Sequence, residues 1–75
     1  MKDLITVEYS LKQGFFHIDC LSRVLELNRR NVAENHQNSY MLLTVCETKE
    51  EADEFIRQWK ELGYAHNYHY LNNAL

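Results

Sequence analysis

The sequence predicts one α+β domain over residues 1–75, a two-layer α/β sandwich in which two helices cover one face of a mixed four-stranded sheet. Three observations carry that prediction. The stretches "LITVEYSL" and "FFHI" alternate with the period of two that marks half-buried strands. Two later stretches carry the 3.6-residue apolar stripe of amphipathic helices. The only glycines, Gly14 and Gly63, stand where a turn and a helix stop are expected, with no proline, internal repeat or linker elsewhere.

The first strand puts Ile5, Val7, Tyr9 and Leu11 on one side and Leu4, Thr6, Glu8 and Ser10 on the other. "KQG" then supplies a turn, and Phe16 and Ile18 alternate with Phe15 and His17 in a second strand, so a hairpin is expected. "DCLSRVLELNRRNVAEN" is the first helix, with Asp19 as its N-cap and Leu21, Val24, Leu25 and Val32 as its inward stripe. Asn28 interrupts that stripe. Leu27 lies off it and is expected to point toward solvent or a partner. Asn35 to Ser39 has neither period nor apolar residues and forms a loop.

"YMLLTVCE" is apolar on both faces, as an interior strand requires, with Met41, Leu43 and Val45 opposed to Leu42, Thr44 and Cys46. The following helix has the strongest signals. Thr48 and Glu51 form a capping box, Ala52, Phe55, Ile56, Trp59 and Leu62 line one face, Asp53 and Arg57 make an i,i+4 pair, and Gly63 ends it. "YAHNYHYL" is the last strand. The element order is ββαβαβ, and right-handed crossovers are expected to place both helices on one sheet face. A ferredoxin-like arrangement is the alternative.

A chain this short buries only about 60% of the surface its unfolded form exposes, so association with another surface would add appreciably to its core. A mean hydropathy of −0.53 and the lack of a long apolar run exclude a membrane span. The N-terminus shows no apolar core of a signal peptide, so a cytoplasmic location is expected, with Cys20 and Cys46 as free thiols. The formal net charge of −3 weighs against duplex nucleic acid as a partner.

If both helices share one face, the other collects Phe15, His17 and Leu42, and the last strand adds His66, Tyr68 and Tyr70 to it. Together with Leu27 these seven residues form the expected protein-binding surface, since Tyr and Phe are enriched at interface cores. A single-stranded nucleic acid platform would use the same rings, but the basic residues lie on the helices. No metal or cofactor is expected: His66 and His69 point to opposite sides of a strand, and the zinc-type paired spacings are absent. Cys20 near a helix start, with His17 close in sequence, is the one candidate for thiol chemistry. Catalytic residues are otherwise not indicated, and no enzyme is expected.

The half-unit "YMLLTVCETKEEADEFIRQWKELGY" resembles the strand, capping threonine and "EEA" helix of many small ferredoxin-like domains, including peptidoglycan-binding repeats of the SPOR type. That resemblance spans a third of the chain and assigns no site residue. In general character the small, acidic, motif-free chain is similar to inhibitors encoded by phages and mobile elements, including anti-CRISPR proteins. The expected function is a non-enzymatic protein-interaction module, a dimer of itself or an inhibitor of a larger protein.

Overall fold

Alternation at the N-terminus becomes the central strand of the sheet. The computed structural model describes residues 3–63 and, for 69–71, the backbone. Strand β1 (Ile5–Ser10) pairs antiparallel with β2 (Phe15–Cys20), placing Val7 opposite Ile18 and Glu8 opposite His17. The turn between them closes with the Gly14 amide donating to the Ser10 carbonyl at 2.7 Å, and Gly14 has φ +75°, a conformation that only glycine adopts at no steric cost. On its other side β1 pairs antiparallel with β3 (Met41–Cys46). Two helices complete the frame: α1 (Leu21–Glu34) between β2 and β3, and α2 (Lys49–Leu62) after β3. The result is a small α+β fold with a three-stranded antiparallel sheet and two helices. The backbone of a short segment, β4 (His69–Leu71), lies parallel to β2 with His69 opposite Phe15.

The core lies under α2. Val7, Phe16 and Ile18 meet Ala52 and Ile56 with almost no exposure, and Ile5, Tyr9, Leu43, Phe55 and Trp59 pack around them. Each large apolar side chain buried there contributes about 1.5–3 kcal/mol. Tyr9 meets Phe16 edge-on, with ring centroids 4.9 Å apart. The α2 stripe therefore meets the core through Ala52, Phe55, Ile56 and Trp59, whereas Leu62, expected on it, is exposed.

Helix α1 packs on the opposite face, which corrects the expectation of two helices on one face. Its residues Arg23, Val24, Leu27, Asn28 and Asn31 line a cavity with Glu8, His17 and Asp19, which alternate away from the α2 core. The physical reason lies in the direction of the crossovers. From β2 the chain passes over β1 to reach β3, and after β3 helix α2 turns back over β3 and β1. Right-handed crossovers made in opposite directions across a sheet carry their helices to opposite faces. Among the described residues each face of the sheet thus carries one helix.

Two local expectations also change. A β-bulge between Val7 and Glu8 adds Leu43 to β3, so that Met41, Thr44 and Cys46 pair with core-facing residues while Leu42 and Val45 share the face of Glu8 and Thr6. Asp19 does not cap α1. Cys20 holds the cap position without a side-chain bond, and the helix start is satisfied from the chain leading into β1: the Leu4 carbonyl accepts from the Leu21 amide at 2.8 Å, and Asp3 accepts from the Ser22 amide at 3.3 Å and its hydroxyl at 2.5 Å. A remote carboxylate thus ties the helix to the sheet.

In α2 the Thr48 hydroxyl accepts from the Glu51 amide at 3.2 Å, as expected, while the Glu51 carboxylate takes the Glu47 amide instead of that of Thr48. The pair expected between Asp53 and Arg57 is replaced: Lys49 reaches Asp53 at 3.0 Å, and Arg57 bridges Glu54 and Glu61. Arg57 holds the Glu54 carboxyl below the usual carboxylate range.

Candidate functional site

Two features stand out once the faces are assigned. The first is the polar interior beneath α1. Thr6, Glu8, Ser10 and Asp19 are buried there, an unusual load of polar groups for one sheet face. The hairpin register assembles it, since Thr6 faces Asp19, Glu8 faces His17 and Ser10 faces Phe15. Glu8 Oε1 accepts from His17 Nδ1 at 3.2 Å, and His17 Nε2 stands 3.9 Å from Asp19 Oδ2. Arg23 Nε is 3.4 Å from the same oxygen, one helical turn after Asp19. The second Asp19 oxygen accepts from the Cys20 amide at 2.7 Å, and the Thr6 hydroxyl donates to the Asp19 carbonyl at 3.2 Å. Tyr40 closes the far end, its ring 5.1 Å from that of His17. Asn38 donates to Asn28 at 2.8 Å and ties the loop before β3 to the helix. The cavity measures about 140 Å³.

The second feature is the outer edge of β3. Among the described residues β3 pairs only with β1, so its other side presents unpaired backbone donors and acceptors. Met41, Leu42 and Val45 are 56%, 50% and 41% exposed along it, and the strand has neither charge nor proline. The neighbouring flank is apolar too. Arg23 leans toward β2 through Asp19, and Asn28 leans toward the segment before β3 through Asn38. Helical geometry then sets Leu25 and Val32, both exposed, on the side of α1 turned to β3. The stripe expected to be the inward face of α1 is therefore largely an outward one; of its four members only Val24 is buried.

The expected surface residues are dispersed by this arrangement. Phe15 and His17 share the polar face, with His17 held by Glu8 under α1. Leu27 is exposed on α1, as expected, and also borders the cavity. Leu42 sits exposed on the β3 edge. His66 and Tyr68 lie outside the described residues, as does the side chain of Tyr70.

Glu8, Asp19, Asn28, Asn31 and Tyr40 belong to the cavity, and none of them is among the site residues expected from the sequence. A signal existed: a turn joining Ser10 to Phe15 fixes every cross-strand pair, and Glu8 opposite His17 follows by counting.

The thiol arrangement does not form. Cys20 pairs with Ile5 on the core side of the sheet, whereas His17 turns to the other side. Cys46 is buried, and burial, with Glu51 nearby, pushes its thiol pKa up. Among the described residues no group of three His, Cys, Asp or Glu is placed to hold a metal ion, and no helix is long and apolar enough to cross a membrane. No family model, curated protein or solved structure matches the chain.

Proposed function

We propose that this protein is a non-enzymatic interaction module that self-associates through β3, two copies pairing their β3 edges antiparallel about a two-fold axis. The observation that supports this reading most is the undefended edge. Soluble proteins guard an exposed edge strand with charge, proline or a covering element, and Met41–Cys46 has none of these among the described residues. Pairing would satisfy its free backbone groups and bury Leu42 and Val45 against their counterparts, with Leu25 and Val32 of α1 at the margin.

Charge favours a second copy as the occupant. The groove beside Thr44, Val45 and Cys46 carries Glu50, Glu51 and Glu54, whereas Lys12 lies near Met41 at the other end of the strand. Antiparallel pairing brings the acidic end of one β3 against the Lys12 end of the other. Unlike charges then meet at both ends of an isologous interface. The short β4 is taken here as the fourth strand of the sheet, closing the ββαβαβ order and covering the edge of β2. That leaves β3 as the edge available for pairing.

Light scattering coupled to size exclusion tests the proposal. The expected result is a mass twice the 9.0 kDa of the chain, falling to the single-chain mass in the double variant Leu42→Lys/Val45→Lys, whose circular dichroism stays unchanged because both side chains are exposed. A wild-type monomer at high micromolar concentration, or a dimer indifferent to both lysines, overturns it.

A further inference from the structure

The cavity beneath α1 takes no part in edge pairing, and its chemistry points to a ligand of its own. We propose that it is a binding site for a small cationic hydrogen-bond donor, an alkylammonium or alkylguanidinium group, held between His17 and Asp19 at its floor.

The argument starts from the tautomer of His17. Its Nδ1 is 3.2 Å from Glu8 Oε1, a carboxylate that only accepts, so the proton of the neutral ring sits on Nδ1. Nε2 is then a lone-pair acceptor. It faces Asp19 Oδ2, another acceptor, across 3.9 Å. Two acceptors opposed in a buried site repel, and the conflict is relieved by a proton on Nε2 or by a group with two N–H bonds placed between them. Asp19 is 1% exposed, and among the described residues its Oδ2 accepts no hydrogen bond, although Arg23 Nε stands 3.4 Å away as an ion-pair partner and the other oxygen does accept one. A buried carboxylate oxygen left in this way is costly, by contrast with one that receives a donor.

Charge and shape select the donor. Glu8 and Asp19 outnumber Arg23, the one arginine or lysine among the described residues that line the cavity, so an anion is disfavoured and a cation is attracted. Val24, Leu27 and the Tyr40 ring form apolar walls above the polar floor. That arrangement suits an apolar stem with a charged head, and an aromatic wall adds attraction for the cation. At about 140 Å³ the space takes one such head and part of its stem.

The test is an amide-correlation NMR titration of the full chain with n-butylammonium and n-butylguanidinium, against tetramethylammonium and sodium at equal ionic strength. Saturable shifts at Glu8, His17, Asp19, Arg23 and Tyr40 are expected for the two butyl cations and none for tetramethylammonium, which has the charge but no N–H donor. Asp19→Asn should weaken binding at least tenfold. Should that variant fail to fold, Tyr40→Ala, at an intermediate-exposure position, should weaken it several-fold. Free amines and the side chains of a partner protein share this head group. Tighter binding of a lysine- or arginine-containing peptide than of the matching butyl cation assigns the partner, and binding of the butyl cation alone assigns a free amine. The proposal is overturned by the absence of saturable shifts, by an equal response to tetramethylammonium, or by a crystal grown with the butyl cations that shows only ordered water between Nε2 and Oδ2. Because the cavity and the β3 edge are separate, this outcome is independent of the oligomeric state.

Discussion

Gly63 shows at the residue scale how a single backbone angle is enforced. It ends α2 at φ +72°, and a Cβ built there would meet nothing within 4 Å, so substitution tests conformation alone. Gly63→Ala is expected to lower stability by about 1 kcal/mol in thermal or denaturant unfolding, and Gly63→Asn by less, since asparagine tolerates the left-handed region. Asn35 illustrates that tolerance at the end of α1, at φ +58°, with the His36 amide reaching the Asn31 carbonyl at 2.8 Å. The Gly63 stop was legible in the sequence, whereas the Asn35 stop appeared only as the start of an aperiodic loop. Cys46 offers a chemical counterpart. Its pKa is raised by burial first and by Glu51 second, so the folded state favours the protonated thiol. Its contribution to stability is complete below the unfolded thiol pKa and is lost as the pH rises through the folded value. Iodoacetamide should label Cys20, which is partly exposed, before Cys46, and equal rates would contradict the burial assigned here.

The two helices differ at the scale of elements. Helix α2 buries Ala52 and Ile56 and packs Phe55 and Trp59 beside them, whereas α1 buries only Val24 and rests on a polar face. Hydrophobic burial holds the first; hydrogen bonds and ion pairs, individually worth less in net terms, hold much of the second. Amide exchange should therefore be faster throughout α1 than in the central turns of α2, and equal protection would contradict the difference. The same contrast explains what sequence reading could and could not recover. The positions of all five longer elements follow from period and punctuation, and α2 follows in detail because its stripe meets an apolar sheet face. The inward face of α1 could not be found by looking for an apolar stripe, because the face it meets carries Glu8, His17 and Asp19. Asn28 looked like a defect in the stripe and is instead a member of the packed surface. The parity of β3 was lost to the bulge at Leu43, which no local periodicity announces.

At the scale of the molecule, strand order governs what is available for binding. Because β1 lies between β2 and β3, the crossover through α1 runs one way across the sheet and the return runs the other, and each face carries one helix among the described residues. The interaction surface expected on an open face is therefore proposed at an edge instead. Of the expected residues Leu42 stands on that edge, His17 lies in the cavity, and Leu27 is exposed on α1 at the cavity's border. Strand order is set by non-local pairing, so it was beyond the reach of a reading that proceeds segment by segment. The hairpin register, by contrast, was within reach, and with it the pairing of Glu8 and His17. For a chain of 75 residues, joining two sheets edge to edge would also enlarge a core that is thin when alone.

The most direct measurement of that central claim is amide hydrogen exchange along Met41–Cys46 as a function of protein concentration. Edge pairing predicts that the amides pointing away from β1 are protected at high concentration and lose protection on dilution, while the amides bonded to β1 stay slow throughout. Rapid exchange of the outward amides at every concentration would contradict it.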